Sequence, residues 1–211
     1  TDVGANNVYD VTVQVSDGSG GTDTQAIAVT VTNGNETPTI TSNGGGATAS
    51  INVAENQTAV TTVTATDPDA SSTLTYSISG GADAARFSIV AATGVLTFVA
   101  APNFESPTDV GANNVYDVTV QVSDGSGGTD SQAIAVTVTN ANEPPSITSN
   151  GGGASASISL DENQTAVTTV TATDPDAAST LTYSISGGAD AARFAINPAS
   201  GALTFVAAPD F

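Results

Sequence analysis

Residues 115–139 read VYDVTVQVSDGSGGTDSQAIAVTVT, the clearest structural signal in the chain. Tyr116, Val118, Val120 and Val122 alternate with Asp117, Thr119 and Gln121, the two-residue period of a strand with one buried face. Ile134, Val136 and Val138 alternate with Ala135, Thr137 and Thr139 in the same way. The DGSGG at 124–128 between them has turn composition, so the stretch is expected to be a hairpin. Working outward, Leu74, Tyr76 and Ile78 alternate with Thr75, Ser77 and Ser79. Shorter runs fall near 38–42, 47–53, 58–66, 86–90 and 95–99, separated by breakers such as GGAD at 80–83. No stretch carries a helical period. Seven short antiparallel strands, each with one apolar face, predict an all-β Greek-key sandwich of the immunoglobulin-like kind.

The same unit recurs. Residues 1–104 match 108–211 at an offset of 107 with 89 of 104 positions identical, and NNVYDVTVQVSDGSGGTD stands unchanged at 6–23 and 113–130. A 107-residue repeat is too long for a solenoid unit and suits one sandwich domain, so the chain is a tandem array of them. Its phase divides the sequence into the last two strands of one unit (1–36), a complete unit (37–143) and the first five strands of a further unit (144–211). Two strands cannot cover their own apolar face, and five leave open edges, so neither partial unit is expected to fold alone. Placing Thr1 after Phe211 would complete a repeat lacking only the counterparts of Glu105, Ser106 and Pro107. Closure inside one chain would have to span a sandwich more than about 30 Å long. Two expectations remain: the residues belong to a longer continuous fibre, or copies complete one another head to tail by strand exchange.

Composition narrows the partners. Two arginines, Arg86 and Arg193, face 21 carboxylates for a net charge of −19, and the 211 residues contain no His, Cys, Met or Trp. Nothing basic is available to neutralise phosphates, which excludes nucleic acid and disfavours an anionic membrane surface. No apolar run is long enough to insert in a bilayer. Disulfides contribute nothing. Without His, Cys or Lys the chain has no ordinary base or nucleophile, and a carboxylate pair repeated in every bead is a poor catalytic design, so no enzyme is expected. Acidity of this degree asks for cations or serves solubility.

The order of the motifs resembles the cadherin repeat, in particular its microbial cadherin-like relatives in large surface adhesins. The residues that carry the likeness are Glu55-Asn56 (again Glu162-Asn163) and Asp67 with Asp69 in TATDPDA (again Asp174 with Asp176). They continue with Tyr76-Ser77-Ile78, Phe87 and Ile89, Thr93-Gly94, Glu105 in NFES, and Asp124 closing VSD (again Asp17). The linkers follow as Asn33-Gly34-Asn35-Glu36-Thr37-Pro38 and Asn140-Ala141-Asn142-Glu143-Pro144-Pro145. Each motif is weak alone; their order and spacing carry the resemblance over the whole repeat.

That resemblance implies where the acids gather. One junction would bring Asn33, Asn35 and Glu36 against Asp67, Asp69 and Asp124. The next would bring Glu55, Glu105, Asn140, Asn142 and Glu143 against Asp174 and Asp176, with an Asp equivalent to Asp17 joining them. Glu162 would hold the place of Glu55 in the following unit. Like charges about 4 Å apart repel by about 4 kcal/mol at the dielectric of a protein surface, so such clusters call for protonation or a cation. An all-oxygen donor set selects a hard ion, and Ca²⁺ tolerates six to eight irregular oxygens. The sequence departs from the family pattern where the linker Asp is Asn33 or Asn140, and where ASSTL (70–74) and AASTL (177–181) follow Asp-x-Asp, which predicts one or two ions per junction.

The implied role is a calcium-stiffened structural or adhesive repeat of a secreted or surface-anchored fibre, with neighbouring repeats or other copies as partners. A polysaccharide-binding module and a head-to-tail filament subunit are the other readings. DGSGGTD at 124–130 also echoes a calcium β-roll motif, but a single occurrence per repeat fits a hairpin turn better. Asn56 with Thr58 forms a glycosylation sequon. Arg86 and Arg193 are expected to pair locally with Asp83 and Asp190, and Tyr9, Tyr76, Tyr116 and Tyr183 to face the core.

Overall fold

The computed structural model describes residues 2–69 and 72–211. Thr1, at the head of the first partial unit, and Ala70 and Ser71, which open the ASSTL segment, lie outside the described residues. The first segment is a hairpin of β1 (Val8–Ser16) and β2 (Thr22–Thr30), paired without a break from Val8↔Thr30 to Ser16↔Thr22.

The central unit follows with β3 (Thr39–Ile40), β4 (Thr48–Ala54), β5 (Ala59–Thr62), β6 (Ala65–Thr66) and β7 (Thr75–Gly80). It continues through β8 (Phe87–Ile89), β9 (Val95–Phe98), β10 (Val115–Ser123) and β11 (Thr129–Thr139). One sheet has the order β4-β11-β10-β7; across from it lie β5-β9-β8 and the short pair β3-β6. The sandwich expected from the alternation is therefore present, with one correction. β4 runs parallel to β11, from Thr48↔Ala133 to Ala54↔Thr139, whereas the sequence predicts antiparallel pairing throughout. Alternation reports which face is buried and carries no information about direction, and this edge strand enters from the opposite end of the unit.

The alternating residues do form the core. Tyr116, Val118, Val120 and Val122 of β10 and Ile134, Val136 and Val138 of β11 are buried against Ile40, Val63, Leu96 and Phe98. The Phe98 ring stacks on Phe87 at 4.7 Å and meets the Tyr116 ring edge-on at 5.2 Å. The buried Gln132 side chain is satisfied: it accepts from Asn43 Nδ2 (3.1 Å) and donates to the Gly46 carbonyl (3.0 Å).

The third segment repeats only part of this. β13 (Ala166–Thr169), β16 (Ala202–Phe205) and β15 (Phe194–Ile196) form a three-stranded sheet, and β12 (Ser146–Ile147) pairs with β14 (Ala172–Thr173). Residues 155–160 and 181–187, counterparts of β4 and β7, belong to no ladder. In the central unit the corresponding strands pair with β11 and β10.

Candidate metal sites at the unit junctions

The linker after β2 crosses the end of the central sandwich where the loops after β6 and β10 emerge. Asn33 Nδ2 donates to Asp69 Oδ1, the Glu36 N–H to Asp69 Oδ2 (2.9 Å), and Asn35 Nδ2 to Asp124 Oδ2 (2.8 Å). Asp124 is buried and also accepts from the Ser126 and Gly128 N–H groups (2.7 and 2.9 Å). Asp67 Oδ1 accepts from the Asp69 N–H (2.7 Å), while its Oδ2 is buried without a partner among the described residues. All six residues expected at this junction are thus together.

Their electrostatics are uneven. The Glu36 N–H, then the Asn33 amide, hold the Asp69 carboxyl below the usual range. Glu36 is pushed up by sharing a hydrogen bond with Asp69, and by the charge of Asp69. Asp124 is lowered first by Asn35 and then by the Ser126 N–H.

The opposite end of the central unit carries a denser cluster. Glu55, Glu105 and Glu143 each place a carboxylate oxygen within 4.8 Å of the others. Glu55 is buried where β4 ends, and Asn56 beside it takes a left-handed turn at φ 62°. Glu55 Oε2 accepts from the Phe104 N–H (2.7 Å) and Oε1 from the Ala141 N–H (2.9 Å), which ties the outgoing linker to the sandwich. Glu105 Oε1 accepts from Asn140 Nδ2 (3.1 Å) and Glu143 Oε1 from Asn56 Nδ2. The second oxygens, Glu105 Oε2 and Glu143 Oε2, are buried with no partner among the described residues. Across the junction, Asp176 Oδ2 accepts from the Glu143 N–H (3.0 Å), and the Asp176 N–H donates to Asp174 Oδ1 (2.9 Å). Burial pushes the Glu143 carboxyl up; the Asn56 amide counters this, and the charges of Glu55, Glu105 and Asp176 add to it.

Three expected residues stand apart. Asn142 donates to the Glu143 carbonyl (3.1 Å) and reaches no carboxylate among the described residues. Asp17 lies in the β1–β2 turn, where the Ser19 and Gly21 N–H groups (2.8 and 2.9 Å) lower its carboxyl, and it joins neither junction. Glu162 accepts from the Phe211 N–H (2.9 Å), which lowers it, and is not part of an acidic cluster among the described residues.

Sequence reasoning does not single out Asn56, Asp83 or Asp109 as site or core residues. Asp83 and Asp109 are buried and act as backbone staples. Asp83 accepts from the Val110 and Asp117 N–H groups (2.7 and 2.9 Å), and Asp109 from those of Asn113 and Asn114 (both 3.0 Å). Asp83 forms no ion pair with Arg86 among the described residues, contrary to expectation; its two oxygens face the Val110 and Asp117 N–H groups. Arg193 does lie near Asp190, at 3.8 Å, with both side chains exposed. Tyr76 and Tyr116 are buried as expected, whereas Tyr9 is exposed and Tyr183 half-buried. No helix among the described residues is long and apolar enough to cross a membrane.

The donors fit a hard divalent cation. They are all oxygens, two of the carboxylates present unpartnered buried atoms at one point, the chain has no Lys or His, and among the described residues asparagine amides and backbone N–H groups offset the charge.

Comparison with known proteins agrees with this architecture. Residues 49–139 match the family described as Cadherin domain. Human CDH23 EC21-23 superposes with TM-score 0.59 at 21% identity, covering 97% of this chain and 65% of that one. The protocadherin gammaB7 EC3-6 structure, a cis-dimer, gives 0.53 at 22%, covering 99% and 54%. Human protocadherin-24 EC1-2 gives 0.51 at 22%, covering 82% and 81%. The chain thus spans about half to two thirds of the length of the first two. No curated protein matches its sequence.

Proposed function

We propose, from the match of residues 49–139 to the Cadherin domain family, that the chain is a calcium-stiffened adhesive or structural repeat of an extracellular surface protein. The observation that carries the reading is the Glu55–Glu105–Glu143 cluster, whose Glu105 Oε2 and Glu143 Oε2 are buried and unpartnered at the seam with the next unit. A bound Ca²⁺ would supply the charge these oxygens lack. Glu55, Glu105 and Glu143 would hold it from one unit, and Asp174 and Asp176 from the next. Asn33, Asn35, Glu36, Asp67, Asp69 and Asp124 would act likewise at the upstream seam.

The chain's own groups do the mechanical work. Glu55 fixes the outgoing linker through the Ala141 N–H, and Glu143 meets Asp176 of the following segment. Neutralising the acids removes the repulsion that would otherwise swing the units apart, and binding only to the closed seam stabilises it by mass action. The likeness to a non-enzymatic adhesion fold and the lack of His, Cys and Lys favour a role without catalysis.

Calorimetric titration of the 211-residue chain with CaCl₂ tests this. Saturable binding is expected, weakened at least tenfold by Glu105→Gln or Glu143→Gln. Absence of binding at millimolar calcium would contradict it.

A further inference from the structure

The path of the chain through the central unit fixes how tension would cross it. The chain enters at the upstream seam through 33–38 and leaves at the downstream seam through 140–145. β4 and β11 lie side by side and run in the same direction, in register from Thr48↔Ala133 to Ala54↔Thr139. Both end at the downstream seam, where Glu55 follows β4 and accepts from the Ala141 N–H of the outgoing linker. A pull on the incoming linker therefore draws β4 by its upstream end. A pull on the outgoing linker draws β11 by its downstream end. Neighbouring strands drawn in opposite directions along their length must slide, which strains every bond between them at once. Strands parted from one end open bond by bond, each bond being weak alone.

We infer that the β4–β11 ladder is a shear clamp that sets the force at which the central unit yields when stretched between its two linkers. The ladder is reinforced at both ends. At its head the Ala133 N–H donates to the Ala47 carbonyl (2.9 Å). At its foot the Glu55 N–H donates to the Thr139 carbonyl (3.0 Å), and Thr139 Oγ1 to the Val53 carbonyl (3.2 Å). Val53 of β4 and Ile134, Val136 and Val138 of β11 are buried, so sliding also drags apolar side chains out of the core.

The approach to the clamp is weaker than the clamp itself. β3 pairs with β6 over two residues only, Thr39↔Thr66 and Ile40↔Ala65. The connection from β3 to β4 then crosses between sheets, with Asn43, Gly44, Gly45 and Gly46 all at positive φ. Left loose, that loop would straighten and lift the head of β4 away from β11, which turns shear into peeling. Gln132 prevents this. It occupies the core-facing register of β11 that Ile134, Val136 and Val138 continue, immediately before the first paired residue, Ala133. Its Oε1 accepts from Asn43 Nδ2 (3.1 Å), and its Nε2 donates to the Gly46 and Ser42 carbonyls (3.0 and 3.4 Å). Thr61 Oγ1 holds Asn43 from the other side, through Oδ1 (3.0 Å). Gln132 is thus the positioning residue that fastens the loop to β11. The clamp lies within one unit and stands independently of calcium at the seams.

Because the chain has no cysteine, handles for single-molecule stretching can be attached at chosen points. Thr37→Cys with Pro145→Cys, both at exposed positions, pulls the central unit from seam to seam and shears β4 against β11. Gln57→Cys with Pro145→Cys places both handles at the downstream end and peels the two strands apart. Urea unfolding verifies that the two doubly substituted chains are equally stable, so a difference in yield force reports the direction of pulling. The seam-to-seam pull should need at least about twice the force of the peel, in calcium and in chelator alike. Gln132→Leu should lower the seam-to-seam force and leave the peeling force unchanged. Equal forces in the two directions, or a Gln132→Leu change that lowers both forces alike or neither, would overturn the proposal.

Discussion

The hairpins β1–β2 and β10–β11 have nearly the same sequence and the same strand register, yet one is a core and the other a surface. Tyr116 is 1% exposed and its twin Tyr9 43%; Val120 is 0% exposed and Val13 45%. The two ladders share one register, while in the central unit the stabilisation from burying these side chains comes from the strands opposite. Periodicity specifies a face, and only the presence of a partner makes that face a core.

The sharpest way to break the comparison is to put a charge at the twin positions. Val120→Asp places an unpaired carboxylate in the closed core and should cost at least about 3 kcal/mol, enough to unfold the central unit. Val13→Asp should leave urea unfolding of that unit within about 0.5 kcal/mol of wild type. Equal losses at the two sites would mean that the hairpins share one environment.

A smaller version probes the opposite layer. Leu96→Ala, at a fully buried position, should destabilise the central unit by about 2–5 kcal/mol, whereas Leu203→Ala should leave that unit's transition in place. Smaller again is the staple pair. Asp83→Asn weakens two buried bonds to backbone N–H groups and should cost about 1–2 kcal/mol; Asp190→Asn, on an exposed ion pair, should cost less than about 0.5 kcal/mol. Chemical denaturation reads all four variants.

These contrasts also show what the residues disclose and what they withhold. The alternation of Tyr116 to Val122 and Ile134 to Val138 is legible because a strand's side-chain period is two and its buried face is written in Val and Ile. The parallel direction of β4 is not, since Ile51 and Val53 read the same in either orientation. Asp83 escapes notice for a related reason: a lone Asp in GGAD looks like any turn acid until the chain brings the Val110 and Asp117 N–H groups to it. The junction clusters join residues as distant as Asn35 and Asp124, and only the family resemblance points to such meetings. Neither composition nor period could locate them. Asp17 shows the limit of that transfer: it matches the motif of Asp124, but its carboxylate is taken up by the Ser19 and Gly21 N–H groups of its own turn, away from both junctions.

The seams differ from both hairpins in what holds them. Hairpin and core are fixed by apolar contact, whereas the Glu55–Glu105–Glu143 seam is held by a few N–H and amide bonds against three mutually repelling acids. Small-angle scattering of the chain measures that seam most directly when recorded in calcium and again in excess chelator. Calcium should lengthen the particle, narrow its spread of shapes and raise the melting temperature. Superimposable scattering profiles and an unchanged melting temperature in the two conditions would contradict the account.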